Sequence, residues 1–148
     1  MSADVPQIQV PESIQRLALA VRDQDNVGTH HPIFVVRTTR SDLAAADECD
    51  GYQVDSDEGP VSPVFDTEKE ASAYVKDEGD DGLTIVRVVL RPEPIAFFLT
   101  RDGAQQYIDE NRHNLNRPDV YAFSLYRCHE MVDLRQWLVA LAEVIDAR

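Results

Sequence analysis

Carboxylates are the residues in this chain with the most chemical potential, and they are crowded together. Fourteen Asp and Glu lie between Asp42 and Asp81 against Lys69 and Lys76, a net −12, while the whole 148-residue chain carries −13. So concentrated a block makes a directional field that attracts basic partners and repels nucleic acid and anionic membrane. The candidate partner-binding residues are Asp47, Asp50, Asp55, Asp57, Glu58, Glu70, Asp77, Asp80 and Asp81. The competing explanation is a solvated acidic face that does no more than oppose aggregation. Calcium is the other chemistry such loops suggest. Asp55, Asp57 and Gly59 begin like an EF-hand loop, but Gly59 and Pro60 stand where a ligand and the turn glycine are needed, so the match fails.

Catalytic patterns are sparse. There is no Walker A loop, no G-x-G-x-x-G after a strand, no G-x-S-x-G elbow and no H-E-x-x-H. His30 and His31 are adjacent and would point to opposite faces of a strand, which keeps them out of a common site. The enzymatic alternative is His113 acting with nearby Asp109 or Tyr121 as a general base. Cys49 and Cys128 form neither a CxxC nor a zinc spacing and read as free thiols without a role. Ser124, between apolar neighbours, reads as structural. No cofactor and no metal is expected, and the net charge argues against direct nucleic-acid binding even though Arg87, Arg91, Arg101, Arg112, Arg117, Arg127 and Arg135 are dispersed along the C-terminal half.

These side chains need a scaffold, and the apolar pattern supplies one. Ile14, Leu17, Ala18 and Val21 predict a helix from Pro11 to about Asp23. Ile33 to Thr39 reads as a central strand, Ser41 as the cap of a short helix through Leu43 to Ala46, Gly51 to Val54 as a weak strand and Asp55 to Pro63 as a loop. An internal repeat follows: residues 65–75 match residues 98–108 as F-x-T-x3-A-x2-Y-[VI], offset by 33. Phe ends a strand, Thr caps a helix, and Ala, Tyr and the aliphatic residue form the packing face; Thr67 and Glu70 add a capping box. Glu70 and Asp77 lie near one another's face of that helix. Strands at Leu83 to Leu90, Ile95 to Leu99 and Val120 to Leu125, a sharp connection at Pro92 and Pro94, and a helix from about Glu130 to Asp146 complete the reading.

The expected fold is therefore α/β of the α+β kind: one globular domain over residues 1–148 with a loose start at 1–10. It would hold a single mixed or antiparallel sheet, helices mainly on one face and a duplicated strand-helix-strand unit. No apolar run approaches the ~20 residues of a membrane span, and Met1 to Val10 has no leader character, so a cytoplasmic protein is expected.

The segment from Phe97 to Leu115, followed by Pro118, Val120-Tyr121 and Arg127, resembles small uncharacterised phage and prophage proteins in which F-x-T leads to a helix ending near N-x-H and P-x-V-Y opens the next strand. The likeness covers about the last third of the chain, with His31-Pro32-Ile33-Phe34 as a weaker echo; relatives carry an aromatic residue near Met131. It implies a viral or mobile-element origin, in a class that includes anti-CRISPR inhibitors and DNA mimics. The resulting expectation is an inhibitory protein that blocks a basic host nucleoprotein complex, such as a CRISPR surveillance complex, through its acidic surface. An immunity or antitoxin protein neutralising a basic toxin shares the same electrostatics.

Overall fold

Helix formation begins where the apolar spacing turns helical. In a computed structural model that describes residues 9–45 and 47–147, α1 spans Glu12–Asp23 behind Pro11, and α4 spans His129–Asp146. Between them come β1 (Pro32–Leu43), β2 (Gly51–Ser56), β3 (Gly59–Pro60), α2 (Glu68–Glu78), β4 (Thr84–Phe98), α3 (Arg101–Asn111) and β5 (Asp119–Ser124). The fold is α+β, with one antiparallel sheet in the order β3-β2-β4-β1-β5. The chain divides into two compact units. One holds residues up to 37, 94–114 and those from 118 onward; the other holds 38–93 and 115–117.

In the first unit the core lies between α1 and α4. Ala18, Val21, Leu138 and Ala142 are buried, with Leu17, Leu99, Leu141 and Ile145 packed around them. Two alanines at this contact let the helices approach closely, and each buried Val or Leu contributes roughly 1.5–3 kcal/mol. Polar contacts guard the ends of this pair. Arg22 pairs with Asp146 and Glu143, and the buried Arg135 donates to Asn26 Oδ1 at 2.8 Å. On the sheet, β1 and β5 pair from Pro32↔Ser124 to Arg37↔Asp119, with Phe34 and Val36 buried. Ser124 Oγ donates to His30 O at 2.7 Å, the structural role expected of it.

In the second unit, β2 pairs with β4 from Gly51↔Val88 to Asp55↔Thr84, and Val54, Ala71 and Val88 are buried. The buried Gln53 is satisfied on both sides: its Oε1 accepts from Ser41 Oγ at 2.8 Å and its Nε2 donates to Ser62 O at 3.0 Å.

Several expectations are corrected. Ser41 to Leu43 continue β1 and start no helix, because Ser41 reaches Gln53 and the backbone N–H of Ala44 reaches Arg87 O; Ala46 and residues 1–8 lie outside the described residues. The segment 55–63 is partly strand, since Asp55 and Ser56 finish β2 and pair with Pro60 and Gly59. His30 and His31 form a bend before β1, with His31 at φ 49°.

The strands at 83–90 and 95–99 are one continuous β4 with Pro92 and Pro94 inside it. Leu90 N–H points to Asp50 Oδ2, and positions two and four residues further on address the same lateral side. Among the described residues β2 has no partner for β4 beyond Val88 on that side, so the prolines remove donors that met no described strand there.

The repeat is reproduced locally around each helix start. Thr67 and Thr100 are extended N-caps (φ −128° and −123°) that accept from Glu70 N–H and Gly103 N–H, while Phe65–Tyr74 and Phe98–Tyr107 have ring centroids 5.6 and 5.5 Å apart. The flanks differ. Phe98 ends a fifteen-residue strand, whereas Phe65 makes a single bridge to Tyr52.

Leu138→Ala is expected to cost roughly 2–5 kcal/mol in urea unfolding. Gly51→Ala is expected to cost roughly 1–3 kcal/mol by overpacking, because its Cβ would fall 2.6 Å from Val64 Cγ1 and 2.8 Å from Phe65 O.

Candidate functional site

The acidic block belongs entirely to the second unit, which contains fifteen Asp and Glu and six Lys and Arg, so −9 of the chain's −13. Within it β2 sets the distances. Six residues at about 3.3 Å each make a strand of about 20 Å, with Asp47 and Glu48 before its start and Asp57 and Glu58 after its end.

Ahead of β2, Asp47 and Glu48 are exposed on the loop, while Asp50 is committed to structure: its Oδ2 accepts Leu90 N–H at 2.9 Å and its own N–H reaches Val88 O. Beyond β2, Asp57 and Glu58 occupy the turn into β3. Glu78 ends α2, and Gly79 in the left-handed conformation (φ 65°) turns the chain so that Asp80 follows close by. Asp57, Glu58, Glu78 and Asp80 line one open depression of about 470 Å³ together with Ser56, Val61, Tyr74, Gly82 and Leu83. Tyr74 is fixed there, its hydroxyl donating to Val61 O at 3.0 Å and its ring packed on Phe65. Asp80 Oδ1 also accepts Gly82 N–H at 2.9 Å. No ion pair reaches these four carboxylates among the described residues. Asp42, by contrast, is paired with Arg40 and Arg91.

The remaining candidates separate by role. Glu70 closes the capping box, its Oε2 accepting from Thr67 N–H at 3.1 Å while Thr67 Oγ1 accepts from Glu70 N–H. Asp55 is a half-buried strand residue with one carboxylate oxygen buried and unpartnered. Asp77 and Asp81 are exposed. The structure thus joins Asp57, Glu58 and Asp80, leaves Asp47 about a strand's length away, and assigns Asp50 and Glu70 to the scaffold. Glu78 is the lining residue that sequence reasoning missed, although it follows Tyr74 by one helical turn and shares its face.

The catalytic alternative finds no assembly among the described contacts. His113 Nε2 lies 3.0 Å from Asn114 Nδ2, Asp109 accepts from Gln105 and faces Arg112, and Tyr121 lies 4.4 Å beneath the Arg37 guanidinium. No group of three or more His, Cys, Asp or Glu among the described residues is placed to hold a metal ion. No helix among them is long and apolar enough to cross a membrane. No protein-family model, curated protein or solved structure matches the chain.

Removing a scaffold carboxylate and a surface one should give different results. Glu70→Ala is expected to lower stability by about 1 kcal/mol through loss of the capping box, and Asp77→Ala to stay within about 0.5 kcal/mol of the parent, both read from chemical denaturation midpoints.

Proposed function

We propose that the chain is an inhibitory binding protein of the DNA-mimic type, phage-encoded and acting in the bacterial cytoplasm, that occupies a cationic groove on a host nucleic-acid-binding defence complex such as a CRISPR surveillance complex. The observation that carries this reading is the convergence of Asp57, Glu58, Glu78 and Asp80 on one open depression, with none of them ion-paired among the described residues. Carboxylates held this way direct their field outward, because no Lys or Arg among the described residues is ion-paired with them.

The second unit carries nine net negative charges, the charge of roughly 15 Å of duplex DNA at about one per 1.7 Å of axis. Asp47 and Glu48 at the far end of β2 extend the acidic surface to a length that a groove, and not a single basic side chain, would match. Tyr74, Val61 and Leu83 beside the four carboxylates offer apolar area for the stems of arginine and lysine.

The test is reversal of the depression: Asp57→Lys, Glu58→Lys, Glu78→Lys and Asp80→Lys together bring the second unit from −9 to −1. The parent chain, immobilised and exposed to lysate of a bacterium with an active CRISPR system, should retain a basic nucleic-acid-handling complex at low salt and release it at high salt. It should also displace target DNA from that complex once purified. The quadruple variant, shown to be folded, should lose both activities. Undiminished displacement by the folded variant would falsify the reading, and retention of a lone basic toxin would identify an immunity protein instead.

A further inference from the structure

We propose that the outer edge of β5 pairs antiparallel with β5 of a second copy of this chain, joining two sheets across a two-fold axis at Ala122. β5 is the last strand of its sheet, bonded to β1 on one side and to no strand on the other among the described residues. Its ladder fixes which backbone groups are already used. Leu125 N–H donates to His31 O at 3.1 Å, one step beyond the Pro32↔Ser124 pair, so the odd-numbered residues of β5 bond inward to β1. The N–H and C=O groups of Val120, Ala122 and Ser124 therefore point to the open edge.

Sheets ordinarily blunt such an edge with shortness, proline or lysine. The edge strand β3 does so, having two residues of which one is Pro60. β5 has six residues, no proline and no lysine, and its one charge is neutralised, Arg37 Nε donating to Asp119 Oδ1 at 2.9 Å. Tyr121 and Phe123 share one face of the strand and stand 47% and 56% exposed.

A second copy fits this edge because β5 is complementary to itself. Outward groups must meet outward groups, which admits a register with Ala122 opposite Ala122 or one with Tyr121 opposite Tyr121. The Tyr121 register sets Asp119 against Phe123 and requires an N–H from Pro118, which has none. The Ala122 register leaves Pro118 outside and sets Val120 against Ser124. Tyr121 then stands directly opposite Phe123 of the second copy, in the non-hydrogen-bonded pairs where side chains approach most closely. Asp119 comes to the end of the ladder where the other copy's turn carries Arg127, so an acid and a base meet at each end.

The area sets the strength. An aromatic side chain buries roughly 150–250 Å² when covered, so half-exposed rings offer ~100 Å² each and the four rings about 400 Å², to which the strand edges add. Against the ~1,600 Å² of a standard stable interface this is a weak, reversible dimer. Each copy carries −13, of which −9 lies in the unit without β5, so two copies repel at low salt and associate as salt screens that repulsion. The acidic depression responds to salt in the opposite sense, and the β5 edge does not depend on it.

The experiment follows the full chain by sedimentation across a concentration series in reducing buffer, so that neither Cys49 nor Cys128 links copies, and reads amide exchange by NMR at both ends of the series. The mass is expected to rise from 16.7 kDa toward twice that value, more readily at high salt than at low. The amides of Val120, Ala122 and Ser124 should gain protection with concentration, while those of Tyr121 and Phe123 are protected throughout. Ala122→Pro removes a donor that β1 does not use, and Phe123→Lys keeps every donor but sets a charge against Tyr121; each should weaken association by about tenfold or more. If Ala122→Pro does not fold, Phe123→Lys carries the comparison. A mass that stays at the single-chain value, a dimer whose three edge amides remain unprotected, or parent-like association of folded Phe123→Lys overturns the proposal. Capture of an extended peptide from another protein by a chain that stays monomeric overturns it too.

Discussion

The hydrogen-bond ladder of β4 is the constraint on which the rest of the second unit depends. Through Val88 its even-numbered residues are paired to β2. The last donor of that set before the prolines is Leu90, and it is taken by a carboxylate, Asp50 Oδ2. Pro92 and Pro94 then offer no donor at all. A strand on this side cannot profitably run further, so β2 begins at Gly51 and the chain before it is a loop laid against β4. That loop is what places Asp47, Glu48 and Cys49 where they stand. The close approach at Gly51, with Val64 and Phe65 against its missing side chain, locks the same corner from the other side.

Elements whose pattern is local were legible in the sequence, and elements decided by distant partners were not. The apolar spacings of α1 and α4 and the alternation of β5 carry their own signal, and both Thr caps are local motifs that fold alike in different surroundings. The reading failed at Ser41 to Leu43, where a cap-like Ser before Leu and Ala favours a helix on propensity. Gln53, Arg87 and Arg91, all remote in sequence, supply strand-compatible partners that outweigh it. It failed likewise at Pro92 and Pro94, because proline forbids a ladder bond and nothing in the sequence says which edge of a strand will lack a neighbour.

The candidate site positions divide along the same line. A carboxylate in a helix cap can be recognised from four residues, and Glu70 was. Asp50 looks like any other exposed acid until the register brings Leu90 to it across forty residues. Glu78 is the intermediate case, with its helical relation to Tyr74 visible but the approach of Asp57 and Glu58 hidden in the β2–β3 turn.

The acidic unit also limits which explanations of its charge are physically economical. Two like charges 4 Å apart in water repel by about 1 kcal/mol, and screening in physiological salt acts over about 8 Å. Surface acids spread evenly would escape most of that repulsion. Here four of them share one depression, on elements held there by a capping box, a left-handed glycine and a two-residue hairpin. A solubility role gains nothing from such convergence, since a dispersed net charge opposes aggregation equally well. A binding role would gain, because the potentials of neighbouring carboxylates add where a cationic surface would meet them.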